Sequence, residues 1–179
     1  MLVLLSLTLC SNPPEIQAQP HLDTLRKYVP TPEVGDNRGP YDPVVRALHY
    51  MGFDRGKPYC AATISLCLEV SEAEHPDTRT ALATDFAKYN EFIPAVKVLR
   101  GRAKAMPGDI VVWRRGNGYH GHAGFVDSVW TGRCGWTVEA NTLPGDYNEK
   151  FERDGIYRRR RCIYPSAHTS IVAFVRTEP

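Results

Sequence analysis

The sequence lacks the features that divide a long chain into parts. Its 179 residues contain no internal repeat and no long low-complexity linker. With 42% hydrophobic residues, the chain is long enough for one good core and short for two. We therefore predict a single domain over residues 21–179, preceded by a leader at residues 1–20.

A strong excess of charge of one sign is also missing. The net charge of +2 is too small to demand a polyanionic partner. One basic run does occur, and it consists of Arg158, Arg159, Arg160 and Arg161. The run keeps a nucleic-acid-binding module as a rival hypothesis, because such modules contact phosphates through basic side chains. On a strand these side chains would alternate between two faces, so we expect no nucleic-acid partner.

Paired metal-ligand spacing is absent as well. The cysteines are Cys10, Cys60, Cys67, Cys134 and Cys162, and no two of them form a Cys-x-x-Cys pair. We therefore expect neither a metal nor another cofactor. If the protein is exported, Cys134 and Cys162 are candidates for a disulfide, since both lie on predicted strands of one sheet region.

Cys60 has the most informative chemical setting in the chain. It follows Pro58, which is well placed as a first helical residue, and no helix breaker occurs up to Leu68. Cys60 therefore falls in the first turn, where unpaired N–H groups and the helix dipole lower the pKa of a thiol. A thiolate is a nucleophile, but a buried cysteine is also a small apolar residue. We expect Cys67, two turns later, to be a buried apolar residue without a catalytic role.

A histidine follows on a predicted strand. The apolar run at residues 109–113 indicates a buried strand, and residues 114–120 read as a hairpin connection that leads to a returning strand. His122 lies near the start of this returning strand, between small neighbours that leave its ring uncrowded. A lone histidine on a strand is more often structural than a base, and we expect His120 to be an exposed loop residue.

The next predicted strand supplies a carboxylate. Its period of two places Thr137, Glu139 and Asn141 on one face. A buried carboxylate is costly without a partner, and accepting the imidazole N–H of His122 would provide one. Such a contact fixes the tautomer and stabilises the imidazolium that forms when Cys60 loses its proton. Asn141 could position the same ring or bind substrate, and residues 141–145 are equally typical of a simple turn.

Four motifs in one order carry a family resemblance. They are Gly-x-Pro-aromatic-Cys-Ala-Ala at residues 56–62, Pro-Gly-Asp-Ile-Val-Val-Trp at 107–113, Gly-His-Ala-Gly-Phe-Val at 121–126 and Val-Glu-Ala-Asn-Thr at 138–142. In this order the chain resembles the CHAP family of cysteine, histidine-dependent amidohydrolases and peptidases, which are relatives of the NlpC-type cell-wall hydrolases. The resemblance runs from about residue 36 to the C-terminus.

The resemblance implies an α+β fold of papain-like type, with N-terminal helices packed on an antiparallel sheet and the nucleophile at a helix N-terminus. It implies that Cys60 is the nucleophile, His122 the general base and then acid, Glu139 the orienting residue and Asn141 an accessory group. It also implies an enzyme that cuts an amide bond of peptidoglycan, either as an N-acetylmuramoyl-L-alanine amidase or as an endopeptidase. We expect the protein to be a monomer.

Two further expectations concern the substrate groove. Tyr59 stands where many members of the family have tryptophan, and we predict that it contacts substrate. The backbone N–H of Cys60 is the first expected donor to the reaction's oxyanion, with Tyr59 or Asn141 as the second. The same thiol–imidazole pair could instead transfer an acyl group to an amine, or serve as an antibacterial effector. Surface arginines would suit an anionic cell-wall polymer.

The first residues of the chain predict export. Residues 2–9 form an apolar run too short to span a bilayer, and polar, proline-containing sequence follows. The segment Leu-Thr-Leu-Cys-Ser at residues 7–11 resembles a lipoprotein cleavage site, with Cys10 as the residue that would be acylated and anchor the protein to a membrane. We therefore expect a periplasmic or envelope-associated protein, and the large Leu9 and the missing basic residues count against lipidation.

Overall fold

The computed structural model describes residues 19–33, 37, 44–72, 79–144, 153–165 and 167–177. The predicted leader, except for residues 19 and 20, lies outside the described residues, and so does Cys10. Within the described part, no helix has the length and apolar character needed to cross a membrane.

The larger helices form a layer on one face of a sheet. They are α1 (Pro20–Arg26), α2 (Val44–Tyr50), α3 (Cys60–Val70) and α4 (Ala83–Tyr89). All four contribute side chains to one apolar core together with the inner side chains of the strands. The sequence predicts a helix in each of these segments, and apolar residues recur at helical spacing in those of α2 and α3.

Helix α3 lies at the centre of this layer. It contacts α1 and α2 on one side and the sheet on the other, which buries most of its residues. Tyr59 is the N-cap, with non-helical φ and ψ angles of −119° and 6°. The helix therefore begins at Cys60 rather than at Pro58, where the sequence predicts its first residue. The prediction that Cys60 lies in the first turn is confirmed.

In the part of the chain that the structure describes, the sheet has seven strands. They are β1 (Thr31–Pro32), β2 (Phe92–Pro94), β3 (Ile110–Arg115), β4 (Gly121–Val126), β5 (Cys134–Thr142), β6 (Gly155–Cys162) and β7 (Thr169–Val175). Their spatial order is β1-β6-β5-β4-β3-β7-β2, and every neighbouring pair is antiparallel. The arrangement of helices and an antiparallel sheet makes the fold α+β, as predicted.

A second apolar core covers the other face of the sheet. It contains Trp113, Val126 and Trp130, and helix α5 (Ala95–Leu99) packs into it. Because side chains alternate along a strand, Val138 and Ala140 belong to the helix-side core, and Glu139 between them points to the opposite face. The sheet is therefore packed on both faces, and polar side chains on it need internal partners.

Strands β5 and β6 are joined covalently. Cys134 and Cys162 stand opposite each other in the register and form a disulfide, which confirms the predicted pairing. At the other end of this ladder, Ala140 pairs with Ile156 and Thr142 with Gly155. Asn141 is thus an extra residue in β5, a β-bulge.

Candidate active site

The thiol of Cys60 lies against the start of strand β4. Its position as the first residue of α3 leaves the backbone N–H groups of the first turn without helical partners. The N–H groups of Ala61 and Ala123 reach the sulfur, and the side chain of His122 makes a hydrogen bond with it. Cys60 is a free cysteine and is nearly buried. The helix start and the strand therefore bring donors to one sulfur atom.

His122 connects this thiol to a carboxylate. Its Nε2 lies 3.0 Å from Oε2 of Glu139, which leaves Nδ1 as the ring nitrogen for Cys60. The imidazole also packs on the indole of Trp113 with ring centroids 5.1 Å apart, because Trp113 is its partner across β3 and β4. One fifth of the His122 side chain is exposed. The ring is thus fixed on three sides and open to solvent on another.

Glu139 is fully buried, with a side-chain exposure of 0%. Besides His122, it accepts hydrogen bonds from Thr137 Oγ1 at 2.5 Å and from Arg161, whose Nε lies 2.7 Å from Oε1. Gly124 is its partner on β4, and a Cβ atom at Gly124 would lie 2.7 Å from Glu139 Cγ. The absence of a side chain at Gly124 therefore makes room for the carboxylate.

Electrostatic effects favour a charged pair at Cys60 and His122. Burial by itself would raise the pKa of Cys60, but the hydrogen bond and charge of His122 and the two N–H groups outweigh it, so the pKa is lowered. Burial likewise acts to lower the pKa of His122, yet Cys60 and Glu139 raise it above its ordinary value. Arg161 and His122 hold the pKa of Glu139 well below its usual range against the effect of burial. The arrangement therefore favours a thiolate at Cys60, an imidazolium at His122 and a carboxylate at Glu139.

The CHAP domain matches the chain over residues 52–141, which is half of its length. This segment contains Cys60, His122 and Glu139. The chain belongs to the CHAP domain family. Proteins of this family are typically hydrolases that depend on a cysteine and a histidine. Searches of the curated proteins and of the solved structures found no match.

Asn141, which also lies in the CHAP segment, takes a different place from the predicted one. It has a positive φ of 57°, and as the bulge residue of β5 it leaves the face of Thr137 and Glu139. Its Oδ1 accepts the backbone N–H of Tyr59 at 3.1 Å, and its Nδ2 lies 3.3 Å from Asp154 Oδ2. The prediction of a shared face with Glu139 is wrong, because the bulge breaks the period of two. Asn141 instead holds the N-cap of α3.

Tyr59 is also placed differently. Its side chain is fully buried in the helix-side core, with an exposure of 0%. Burial and the neighbouring carboxylate of Glu33 raise the pKa of its hydroxyl. The prediction that Tyr59 contacts substrate is corrected, because an aromatic ring just before a nucleophile can fill the core behind the helix as well as line a groove.

Arg161 is the residue of the CHAP site that sequence reasoning missed. It lies beyond the segment that the family matches, in a run that reads as surface charge. Its guanidinium binds both carboxylate oxygens of Glu139. A signal was present, because a buried Glu139 requires more compensation than one imidazole gives, and the run of four arginines stands on the next strand.

No described group of three or more histidine, cysteine, aspartate or glutamate residues is suited to hold a metal ion. In the described part of the chain, the polar groups around Cys60 instead form one connected chain of side chains, from thiol to imidazole to carboxylate to guanidinium. Such an arrangement suits nucleophilic acyl transfer, in which a thiolate attacks a carbonyl carbon and an imidazolium supplies a proton.

Proposed function

We propose that this CHAP protein hydrolyses an amide bond of peptidoglycan through a Cys60–His122–Glu139 thiol mechanism on a papain-like fold. The observation that carries the proposal is the contact of a helix-start thiol with an imidazole whose other nitrogen binds a buried carboxylate. This is the arrangement of an activated nucleophile, its base and the group that orients the base. The hydrolytic character of the family supports it.

The first half-reaction forms a thioester. The Cys60 thiolate attacks the carbonyl carbon of the amide and a carbon–sulfur bond forms, while the carbonyl oxygen takes the negative charge. When the carbon–nitrogen bond breaks, the proton of the His122 imidazolium passes to the departing amine. The backbone N–H of Cys60 is a donor for the oxyanion, since the first residue of α3 has no helical partner for it. Glu139 keeps the ring aligned throughout.

The second half-reaction releases the acid. Neutral His122 takes a proton from water, and the resulting hydroxide equivalent attacks the thioester carbon. The carbon–sulfur bond breaks, so that Cys60 leaves as the thiolate and His122 is again an imidazolium. The resting charges are thereby restored without any further reactant. Among the predicted second donors, Tyr59 is buried and the Asn141 amide binds Asp154, so neither supports that role.

The position of the arginines argues against nucleic acid as the partner. Arg158 donates to Asp127 at 2.5 Å, and Arg161 binds Glu139. These two members of the run therefore neutralise carboxylates of the same chain instead of offering free charge to phosphates. A steep salt dependence of DNA binding that survives Cys60→Ala would contradict this part of the proposal.

We propose further that the protein works as a monomer outside the cytoplasm. The Cys134–Cys162 disulfide supports export, because structural disulfides persist in oxidising compartments. Residues 2–9 and Cys10 form the proposed export or lipoprotein leader. Fractionation of cells that make the full chain, with the mass of the mature protein measured, tests this: a cytoplasmic protein of full mass would contradict it.

The decisive experiment is digestion of purified peptidoglycan with identification of the fragments by mass spectrometry. We expect the wild type to release fragments and Cys60→Ala to release none, because the alanine has no thiol with which to form the thioester. The matched control is Cys67→Ala, which removes the other free cysteine of the same helix and should retain cleavage. The fragment masses identify the bond, whether glycan-to-stem, within the stem or in a crossbridge.

Two outcomes would contradict the proposal. Equal cleavage by the wild type and Cys60→Ala would exclude the thiol as nucleophile. Products that carry an added amine in place of a free carboxylate would show acyl transfer rather than hydrolysis. Walls from several bacterial types belong in the assay.

A further inference from the structure

The guanidinium of Arg161 and the imidazole of His122 share one carboxylate. Arg161 Nε donates to Oε1 of Glu139 at 2.7 Å, and its Nη2 donates to Oε2 at 2.5 Å. The same Oε2 lies 3.0 Å from His122 Nε2. A two-pronged contact of this kind fixes the plane of the carboxylate as well as its position. The orientation of the ring therefore depends on the guanidinium.

Arg161 is itself held in place. Its Nη2 donates to Thr142 Oγ1 at 2.9 Å, and its guanidinium lies 5.6 Å from the ring centroid of Trp113. The bulge at Asn141 brings Thr142 to this position in the ladder. Trp113 also packs on His122, so one indole contacts both cations of the site. These contacts hold the guanidinium in one arrangement.

The guanidinium of Arg161 balances the charge of the buried site. A thiolate at Cys60, an imidazolium at His122, a carboxylate at Glu139 and a guanidinium at Arg161 sum to zero. Without the guanidinium, the same buried group would carry one net negative charge, which burial disfavours. The site would then take up a proton at a higher pH, either on Cys60 or on Glu139. A net charge of zero over these four groups therefore stabilises the thiolate of Cys60.

The charged neighbours of the site support this count. Cys60 and Glu139 raise the pKa of His122, and Arg161 and His122 lower the pKa of Glu139. From the helix layer, α3 contributes Cys60, and its N–H groups add partial positive charge. Two further acids, Glu33 and Asp154, act on the Tyr59 hydroxyl behind α3.

We propose that Arg161 is a positioning residue, which holds Glu139 ionised and aligned on His122 and so keeps Cys60 a thiolate at neutral pH. The inference rests on the proposed thiol mechanism. Arg161 touches neither substrate nor sulfur in this role and acts through Glu139. It lies outside the segment that matches the family, so the role comes from the contacts of this chain.

Alkylation of Cys60 by iodoacetamide at a series of pH values tests the proposal without any substrate. Peptide mass mapping follows Cys60 and Cys67 separately in wild type, Arg161→Gln and Arg160→Gln. Arg160 is the matched control, because it is the exposed neighbour on the same strand. We expect the midpoint of Cys60 alkylation to rise by about one pH unit or more in Arg161→Gln and to stay unchanged in Arg160→Gln. Protection of the buried Cys67 reports that each variant is folded.

The rate of hydrolysis provides a second readout. In Arg161→Gln we expect kcat to fall by roughly 100-fold with little change in KM, because a misaligned base slows chemistry more than binding. Arg161→Lys keeps the charge but loses the two-pronged contact. It should return the alkylation midpoint toward the wild-type value while kcat stays low.

Several results would overturn the proposal. One is a folded Arg161→Gln whose midpoint equals that of the wild type, even if its activity is low, since a purely structural role would give that pattern. If Arg161→Gln does not fold, Arg161→Lys decides, and an unchanged kcat in that variant overturns the proposal. A wild-type midpoint equal to that of the unfolded chain overturns the thiol mechanism and this inference together.

Discussion

At the level of single residues, the two free cysteines of α3 show what makes a thiol reactive. Cys67 is buried among apolar side chains, and burial raises its pKa to about 12. Cys60 is buried as well, but hydrogen bonds from His122 and from backbone N–H groups outweigh the effect of burial. Two turns of one helix therefore separate an inert thiol from one that favours the thiolate.

We predict a bell-shaped pH dependence of kcat/KM, with a plateau between the lowered pKa of Cys60 and the raised pKa of His122. The lowered pKa of Cys60 places the acid limb below the ordinary thiol range, since the thiolate must be unprotonated to attack. The raised pKa of His122 places the alkaline limb above the ordinary histidine range, since the imidazolium must keep its proton for the leaving amine. Initial rates on soluble peptidoglycan fragments, measured from acid to alkaline pH, check this.

Variants show which residue causes each limb of the pH profile. In His122→Ala, the residual alkylation of Cys60 should move toward ordinary thiol pH, because the cation that stabilises the thiolate is gone. Cys67→Ala should reproduce the wild-type profile. A wild-type rate that rises steadily to alkaline pH without a plateau would instead indicate a neutral thiol and imidazole.

At the level of elements, the β5–β6 ladder supports the site. It carries Glu139 on one strand and Arg161 on the other, so the charged contact crosses between adjacent strands. The disulfide closes one end of the ladder, and the bulge at Asn141 re-aims the backbone at the other. Register between these strands therefore determines whether the carboxylate meets its guanidinium.

We predict that the Cys134→Ala/Cys162→Ala double variant loses about 3 kcal/mol of unfolding free energy. The bridge spans 28 residues of sequence, and its removal restores conformational freedom to the unfolded chain. Denaturant unfolding under non-reducing conditions measures the loss. Reducing agent should bring the wild type to the value of the variant and leave the variant unchanged. Equal stability of the two proteins without reductant would show that the bridge adds nothing.

At the level of the whole molecule, the two ends of the described chain meet at one turn. His21 Nε2 of α1 lies 3.2 Å from the carbonyl oxygen of Gly108, and Thr177 Oγ1 donates to the same oxygen at 2.9 Å. Gly108 has a φ of +88°, and a Cβ atom there would lie 2.7 Å from His21 Nε2. The turn before β3 is thereby joined to both ends of the fold, and the fully buried Asp109 follows it.

We predict that Asp109 makes global stability depend on pH. Burial raises its pKa from 3.8 to about 6, despite the Met106 N–H and Arg176. The folded state thus binds this proton more tightly than the unfolded state, so stability falls as pH rises from about 4 to about 6 and the loss persists above that. Asp109→Asn removes the dependence. Between pH 4 and pH 7 its unfolding free energy should gain about 2–3 kcal/mol relative to the wild type.

Denaturant unfolding of both proteins at several pH values in this range provides the comparison. Other titratable groups change the unfolding free energy of both proteins by the same amount. Their contributions therefore cancel when the wild-type value is subtracted from that of Asp109→Asn. Asp54→Asn, at an exposed position, is the matched control and should run parallel to the wild type. A difference between Asp109→Asn and wild type that does not vary with pH would refute the prediction.

Local patterns predict most of the fold. The sequence predicts helices at the positions of α1 to α4, and short runs of strand-forming residues between turns predict β3 to β7, in each case within a few residues. The Pro58 prediction fails by two residues because Tyr59 takes the N-cap conformation. Helix α5 is only five residues long, which is too short to show a helical period, and it lies in a basic segment.

Local patterns in the sequence place the chemical groups of the candidate site: a cysteine at a helix start, and a histidine and a glutamate on successive strands. These follow from local geometry, because capping and alternation act over a few residues. Contacts between distant parts of the chain turn Asn141 to the helix, bury Tyr59 in the core and join Arg161 to Glu139. Each of these depends on which distant groups share a buried space, and strand register and a bulge set that beyond the range of any local pattern.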